Sequence, residues 1–169
     1  MIPEKPQQLS AQLLLTAQGR LDMPPDLKTP ADLRRATSDM YYALFHRVFE
    51  ALVFPLGADA ENKAFRDTYV TLYRLPDHGF LEKRCKEVET QGFSEAVAHF
   101  AQLIIAFKNK RQSADYDPLQ KQTISLARND LNMVKKVLDD LSKVAPDELT
   151  RFAYFVSLRG RKRDSDSDV

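Results

Sequence analysis

Apolar residues recur every three to four positions along most of this chain, and that spacing predicts helices. The clearest case is the stretch 29–54, TPADLRRATSDMYYALFHRVFEALVF. Thr29 is a typical N-cap residue, and Pro30 suits the first helical position. The apolar positions of the stretch fall on one helical face: Leu33, Met40, Tyr41, Leu44, Phe45, Val48 and Leu52. This stretch therefore predicts a long helix that contributes to a core.

The same periodicity predicts further helices, and no stretch shows the alternation of a β-strand. Their ranges are 7–21, 62–75, 80–90, 94–111, 117–144 and 146–158, with 62–90 forming one interrupted arm. In the 117–144 helix we expect Leu119, Thr123 and Leu126 to point inward, behind a cap at Asp117 and Pro118. The pattern favours an all-α fold, an antiparallel four-helix up-and-down bundle with one or two accessory helices. We expect one domain over 1–158 and a polar, disordered tail over 159–169.

A second, polar row lies beside the apolar face of the 29–54 helix. Arg35, Ser38, Tyr42 and His46 are spaced by three, four and four residues, so they project from nearly the same side. Such a row lines a cleft, forms hydrogen bonds between helices, or belongs to a dimer interface, and the spacing alone leaves all three open.

The segment KNKRQSADY, residues 108–116, concentrates polar chemistry near a predicted helix end. Lys108, Lys110 and Arg111 supply positive charge, while Asp115 and Tyr116 follow within a few residues. An arginine can hold a phosphate with two hydrogen bonds, and a tyrosine can stack on a base. The alternative is ordinary helix chemistry, in which basic residues end a helix and Arg111 pairs with Asp115.

Composition restricts the function classes. The 169 residues carry a net charge of +1, so binding to nucleic acid would need a local patch. One cysteine and three histidines without ligand spacing predict neither a disulfide nor a metal site, and no cofactor motif is present. His78 follows a proline, where a lone histidine is more often solvated. The single cysteine, the absence of a signal pattern and the lack of a long apolar run favour a cytoplasmic protein without a membrane segment.

Two segments resemble one known family. RRATSDMYYALFH, residues 34–46, resembles the signature helix of the HEPN family (higher eukaryote and prokaryote nucleotide-binding), with its pattern R-A-x-S-x-x-Y-Y-A-x-F-H. The positions that fill this pattern are Arg35, Ala36, Ser38, Tyr41, Tyr42, Ala43, Phe45 and His46. The later segment ADYDP, residues 114–118, follows an arginine as in the family's Arg…ADY-type segments.

The resemblance implies a helical homodimer that binds RNA or nucleotide. Many family members are metal-independent ribonucleases, often toxins, in which an arginine and a histidine four to six residues later meet at the dimer cleft. Arg111 matches that arginine, but Tyr116 stands where the histidine would be. A histidine can take the proton of a ribose 2′-OH near neutral pH, whereas a phenol with a pKa of about 10 is a poor base.

Three functions therefore follow as expectations. In the first, Arg111 holds a phosphate of RNA, Tyr116 or His46 transfers protons, and Arg35, Ser38, Tyr42, Lys108, Lys110 and Asp115 complete the binding site. In the second, the protein is a non-catalytic homodimeric module whose polar row is a dimer seam. In the third, it is the partner of a small nucleotidyltransferase that modifies Tyr116, as the resemblance to toxin pairs implies.

Overall fold

The protein is all-helical. A computed structural model describes residues 8–53, 55, 63–75 and 77–159, and within these ranges the chain forms seven α-helices, one 3₁₀ turn at Val88–Gln91 and no β-strand. The helices are α1 (Gln8–Asp22), α2 (Pro30–Val53), α3 (Lys63–Tyr73), α4 (His78–Cys85), α5 (Glu95–Tyr116), α6 (Ile124–Ser142) and α7 (Pro146–Ser157). The all-α prediction is confirmed. The ends predicted at 54 and 62 and the tail over 160–169 lie outside the described residues.

Helix α2 occupies the centre of the fold. It packs against α1, α3, α5, α6 and α7, while α4 packs against α5 and α7. Because α2 is surrounded, more than half of its residues are buried, in contrast to the one-sided stripe of a surface helix. The largest fully buried side chains of the core come from six different helices: Leu21, Met40, Tyr41, Leu44, Phe49, Leu52, Leu81, Phe100, Ile104, Phe107, Leu131 and Phe152.

The start of α2 agrees with its sequence signals. Thr29 Oγ1 accepts a hydrogen bond from the Asp32 N–H at 3.3 Å, and the Asp32 carboxylate accepts from the Thr29 N–H at 2.9 Å. This reciprocal pair satisfies two N–H groups that a helix terminus leaves exposed. The Thr29 hydroxyl also donates to Asp32 Oδ2 at 2.7 Å. This bond, together with that from the Thr29 N–H, holds the pKa of the Asp32 carboxyl below its usual value.

The predicted connection between α5 and α6 was wrong. Helix α5 does not end at Arg111 but continues to Tyr116, because no helix-breaking residue occurs before Pro118. The dipole preference for basic residues in a last turn is worth only about 0.3–1 kcal/mol, too little to mark an end by itself. Arg111, Asp115 and Tyr116 therefore share one helix.

The predicted start of α6 at Asp117 was wrong for a related reason. Asp117 Oδ1 accepts from the Leu119 N–H at 2.9 Å, which forms a local turn rather than a helix cap. The helix begins at Ile124, with Thr123 as the N-cap residue accepting from the Leu126 N–H at 3.2 Å. As a result Leu119, Thr123 and Leu126, which were expected to point inward, are exposed.

The arm between α2 and α5 is helical in two separate pieces. Helix α3 covers most of the predicted 62–75 helix, and the predicted 80–90 helix splits into α4 and the 3₁₀ turn. Asp77 caps α4 by accepting from the Phe80 N–H at 2.8 Å, which starts the helix at His78. None of the helices in the described ranges is both long and apolar enough to cross a membrane.

Candidate functional site

The guanidinium of Arg111 lies against α2 and is oriented by a carboxylate. Arg111 Nε donates to Asp115 Oδ2 at 2.8 Å, one turn along α5, and Ser38 Oγ of α2 donates to Asp115 Oδ1 at 2.7 Å. The Arg111 and Asp115 side chains are 22% and 19% exposed. Within the described residues Arg111 makes no other hydrogen bond, so its two terminal NH₂ groups remain for a ligand.

Three tyrosine rings surround this guanidinium. The Arg111 Cζ atom lies 5.3 Å from the ring centroid of Tyr42 and 6.0 Å from those of Tyr41 and Tyr116. These distances are within the range of cation–π attraction. Tyr41 is fully buried and Tyr42 half-buried, whereas Tyr116 is 72% exposed. The cation therefore has two fixed aromatic walls and one ring that faces solvent.

A histidine from the arm joins the same group of residues. The hydroxyl of Tyr41 and Nδ1 of His78 are 2.6 Å apart, and the His78 ring stacks on Phe45 with 4.3 Å between centroids. The ring of Tyr42 meets His78 edge-on at 6.3 Å. Burial, then the positive charges of Arg111 and Lys108, lower the pKa of His78, so its imidazole is neutral at pH 7.

His46 belongs to a different cluster. Its Nδ1 is hydrogen-bonded to the Tyr73 hydroxyl of α3, and its ring stacks on Tyr73 with 5.2 Å between centroids. Burial lowers the pKa of His46 to about 4. No interaction joins His46 to Arg111 in the part of the chain that the structure describes, so His46 and Arg111 are not brought together.

The remaining predicted cations are engaged elsewhere or point outward. Arg35 is exposed. Lys108 pairs with Glu82 of α4, and Lys110 pairs with Asp130 of α6. The two carboxylates neutralise the lysine charges that the sequence had suggested would bind a ligand. The positive charge beside the tyrosines is therefore mainly that of Arg111.

A second arginine, which the sequence analysis passed over, positions the end of α5. Arg34 Nη1 donates to the Ala114 carbonyl at 2.9 Å, and Nη2 donates to the Gln120 and Pro118 carbonyls at 3.1 and 3.3 Å. These bonds tie the α5–α6 connection to α2, directly beside Asp115 and Tyr116. Arg34, rather than its exposed neighbour Arg35, is the arginine of α2 that makes these structural contacts.

The arrangement is suited to an anion with an attached ring. An oriented guanidinium can hold a phosphate, and tyrosine faces can stack on a base. Among the described residues no three His, Cys, Asp or Glu side chains are grouped so as to hold a metal ion. His78 was expected to be a solvated residue, but it is half-buried and hydrogen-bonded to Tyr41. Its one local signal was Asp77, which caps α4 and thereby fixes the position of His78.

Comparisons of this chain with models of known protein families, with curated proteins and with solved structures found no match.

Proposed function

We propose that this chain is a HEPN-type protein, a four-helix up-and-down bundle with accessory helices, that binds RNA or nucleotide beside Arg111. The observation that carries the proposal is the Arg111 guanidinium, which Asp115 orients while its two NH₂ groups stay unbonded within the described ranges. A phosphate can accept from both groups at once, which is the geometry that makes arginine a phosphate ligand.

The tyrosines favour a nucleotide over a simple inorganic anion. Tyr116 lies beside the Arg111 guanidinium and is largely exposed, so a base attached to the held phosphate has a ring on which to stack. Stacking of this kind contributes about 1–3 kcal/mol per base and tolerates any sequence. With a net charge of only +1, the protein would bind through this local site rather than through its overall field.

Cleavage of RNA is the activity that follows from this proposal. The 2′-OH of the bound ribose attacks the adjacent phosphorus in line, and Arg111 stabilises the charge that develops on the phosphate oxygens. The 2′-OH gives up its proton as the new P–O bond forms, and the 5′-oxygen gains one as its bond to phosphorus breaks, so the fragments carry a 2′,3′-cyclic phosphate and a 5′-hydroxyl. Tyr116 is near enough to Arg111 to contact the same phosphodiester, whereas His46 contacts Tyr73 instead.

The proposal includes a homodimer, and a specific surface supports it. Tyr116 at the end of α5, Leu119 in the connection and Leu126 in the first turn of α6 are 72%, 85% and 57% exposed. Tyr116 also lies beside Arg111. Large apolar side chains that cluster on a surface mark interfaces. The second candidate function, a non-catalytic interaction module, rests on the same surface. It predicts that Leu119→Asp gives a monomer and that Arg111→Ala has no RNA phenotype.

The deciding experiment is incubation of the pure protein with mixed RNA in metal-free buffer containing a chelator. Wild type is compared with Arg111→Ala and with Arg128→Ala, an exposed arginine whose contacts are to α1. We expect Arg111→Ala to weaken RNA binding by roughly 10- to 100-fold and to abolish cyclic-phosphate ends. Equal binding and cleavage by all three proteins would refute the proposal.

A nucleotidyltransferase partner is the third candidate, favoured by the exposure of the Tyr116 phenol. An adjacent gene for such an enzyme and a mass increase of one nucleotide, lost in Tyr116→Phe, would support it. Co-expression that leaves the mass unchanged would remove it.

A further inference from the structure

We propose that His78 donates a hydrogen bond from its Nε2–H to the phosphate that Arg111 holds, so that the α3–α4 arm supplies part of the anion site. This inference rests on the function proposed above. It assigns the arm a role in binding and makes the site a pair of donors, one charged and one neutral.

The position of His78 relative to Arg111 supports this role. His78 and Arg111 are flanked by the same two rings. The centroid of Tyr41 lies 5.7 Å from that of His78 and 6.0 Å from Arg111 Cζ, and the corresponding distances for Tyr42 are 6.3 and 5.3 Å. Stacking on Phe45 fixes the plane of the imidazole. Arg111 is also near enough for its charge to lower the pKa of His78, so a ligand on its NH₂ groups can reach the imidazole.

The hydrogen bond with Tyr41 determines the tautomer of His78. Tyr41 is fully buried, and burial raises the pKa of its phenol, so the hydroxyl keeps its proton. The described residues offer this hydroxyl a single hydrogen-bond partner, His78 Nδ1 at 2.6 Å. Leaving a buried donor without an acceptor would cost about 1–3 kcal/mol. The Tyr41 O–H therefore donates to His78 Nδ1. A neutral imidazole that accepts at Nδ1 carries its proton on Nε2.

The Nε2–H of His78 lacks an acceptor among the described side chains. The nearby carboxylates are committed, because Glu82 accepts from Lys108 and from Lys86, and Asp77 accepts from the Phe80 N–H. His78 is half-buried and makes no hydrogen bond other than that to Tyr41 in the part of the chain that the structure describes. A fixed N–H next to a guanidinium is suited to a phosphate oxygen, since an anion accepts from charged and neutral donors alike.

The experiment measures binding of fluorescein-labelled oligoadenylate RNA to the full chain by anisotropy, in metal-free buffer at pH 7.5. His78→Phe keeps a flat ring against Phe45 but removes the N–H. The matched control is His99→Phe, a substitution at an exposed histidine of α5. We expect His78→Phe to weaken binding by about tenfold and the control to leave it unchanged.

The outcomes separate this inference from the proposed function. If Arg111→Ala loses binding while folded His78→Phe keeps wild-type affinity, the role of His78 is wrong and the function stands. If neither substitution alters binding, both are wrong.

A second measurement on the wild-type protein does not depend on a variant that folds. ¹⁵N-edited NMR of the histidine rings reports which nitrogen carries the proton. We expect His78 in the Nε2–H form and a change in its Nε2 signal when the oligoadenylate is added. An Nδ1–H form, or an Nε2 signal that the RNA leaves in place, would overturn the inference.

Discussion

Two tyrosine–histidine pairs attach the arm to α2, and the residue types are exchanged between them. In one pair Tyr41 of α2 meets His78 of α4, and in the other His46 of α2 meets Tyr73 of α3. Each pair joins a phenol to an imidazole Nδ1, and the pKa of each histidine is lowered. The chemistry of the two contacts is therefore nearly the same.

Their surroundings differ. Burial alone lowers the pKa of His46, whose ring contacts are aromatic, whereas Arg111 and Lys108 act on His78 in addition to burial. The His46 pair is a structural contact, and the His78 pair borders a cation. The groups that act on each histidine come from other helices, so the surroundings of a histidine do not follow from its position in the sequence.

The largest expected difference between the pairs is in stability. Tyr41→Ala should lower the free energy of unfolding by about 3–5 kcal/mol, because the side chain is fully buried and leaves a cavity. Tyr73→Ala should lower it by less, because Tyr73 is only half-buried. Urea unfolding followed by circular dichroism measures both. A larger loss for Tyr73→Ala would mean that the arm, not α2, carries the core.

Removal of the tyrosine hydroxyl from either pair separates its effect on stability from its effect on RNA binding. Tyr41→Phe and Tyr73→Phe should each lower the free energy of unfolding by about 1–2 kcal/mol, since each removes a hydrogen bond to a histidine. Only Tyr41→Phe should also weaken binding of oligoadenylate, because His78 is then free to move its proton to Nδ1. Equal weakening by Tyr73→Phe would erase the functional distinction between the pairs.

A further expected effect is the pH dependence of stability that comes from His46. Its pKa is about 4 in the folded state against 6.5 for an unperturbed histidine, so between these values the unfolded state binds a proton that the folded state does not. The free energy of unfolding from this group therefore falls as pH drops from 6.5 toward 4. His46→Gln should flatten that part of the curve.

The control for this pH experiment is His99→Gln, which changes an exposed histidine and should leave the curve unaltered. An unchanged slope in His46→Gln would show that His46 is not the group responsible. His78→Gln measures how much of the pH dependence of the free energy of unfolding comes from the Tyr41–His78 pair.

Much of the helical framework could be predicted from the sequence. The limits of α2 and α7 agree with the 3.6-residue period and with proline at the first helical position. The end of α5 was misjudged although Pro118 marks it locally, whereas the contact of Arg34 with the carbonyls of Ala114, Pro118 and Gln120 could not be predicted. That contact joins positions about 80 residues apart and leaves no local pattern.

Part of the candidate site could also be predicted, because helical spacing determines which residues share one side of α2. Spacing along α2 placed Ser38 and Tyr42 on one side, and both lie near Arg111 or Asp115. The same spacing included His46 and Arg35, although one faces α3 and the other solvent. The burial of His78 was not expected because nothing near it in the sequence indicates Tyr41 as its partner.

The salt dependence of RNA binding tests whether Arg111 holds a phosphate of the bound RNA. The affinity of oligoadenylate is measured from low to moderate salt for wild type and for Arg111→Ala, and log K is plotted against log of the salt concentration. If Arg111 holds one phosphate, the variant binds more weakly and the magnitude of its slope falls by about 0.7. Coincident lines for the two proteins would show that Arg111 does not contact RNA.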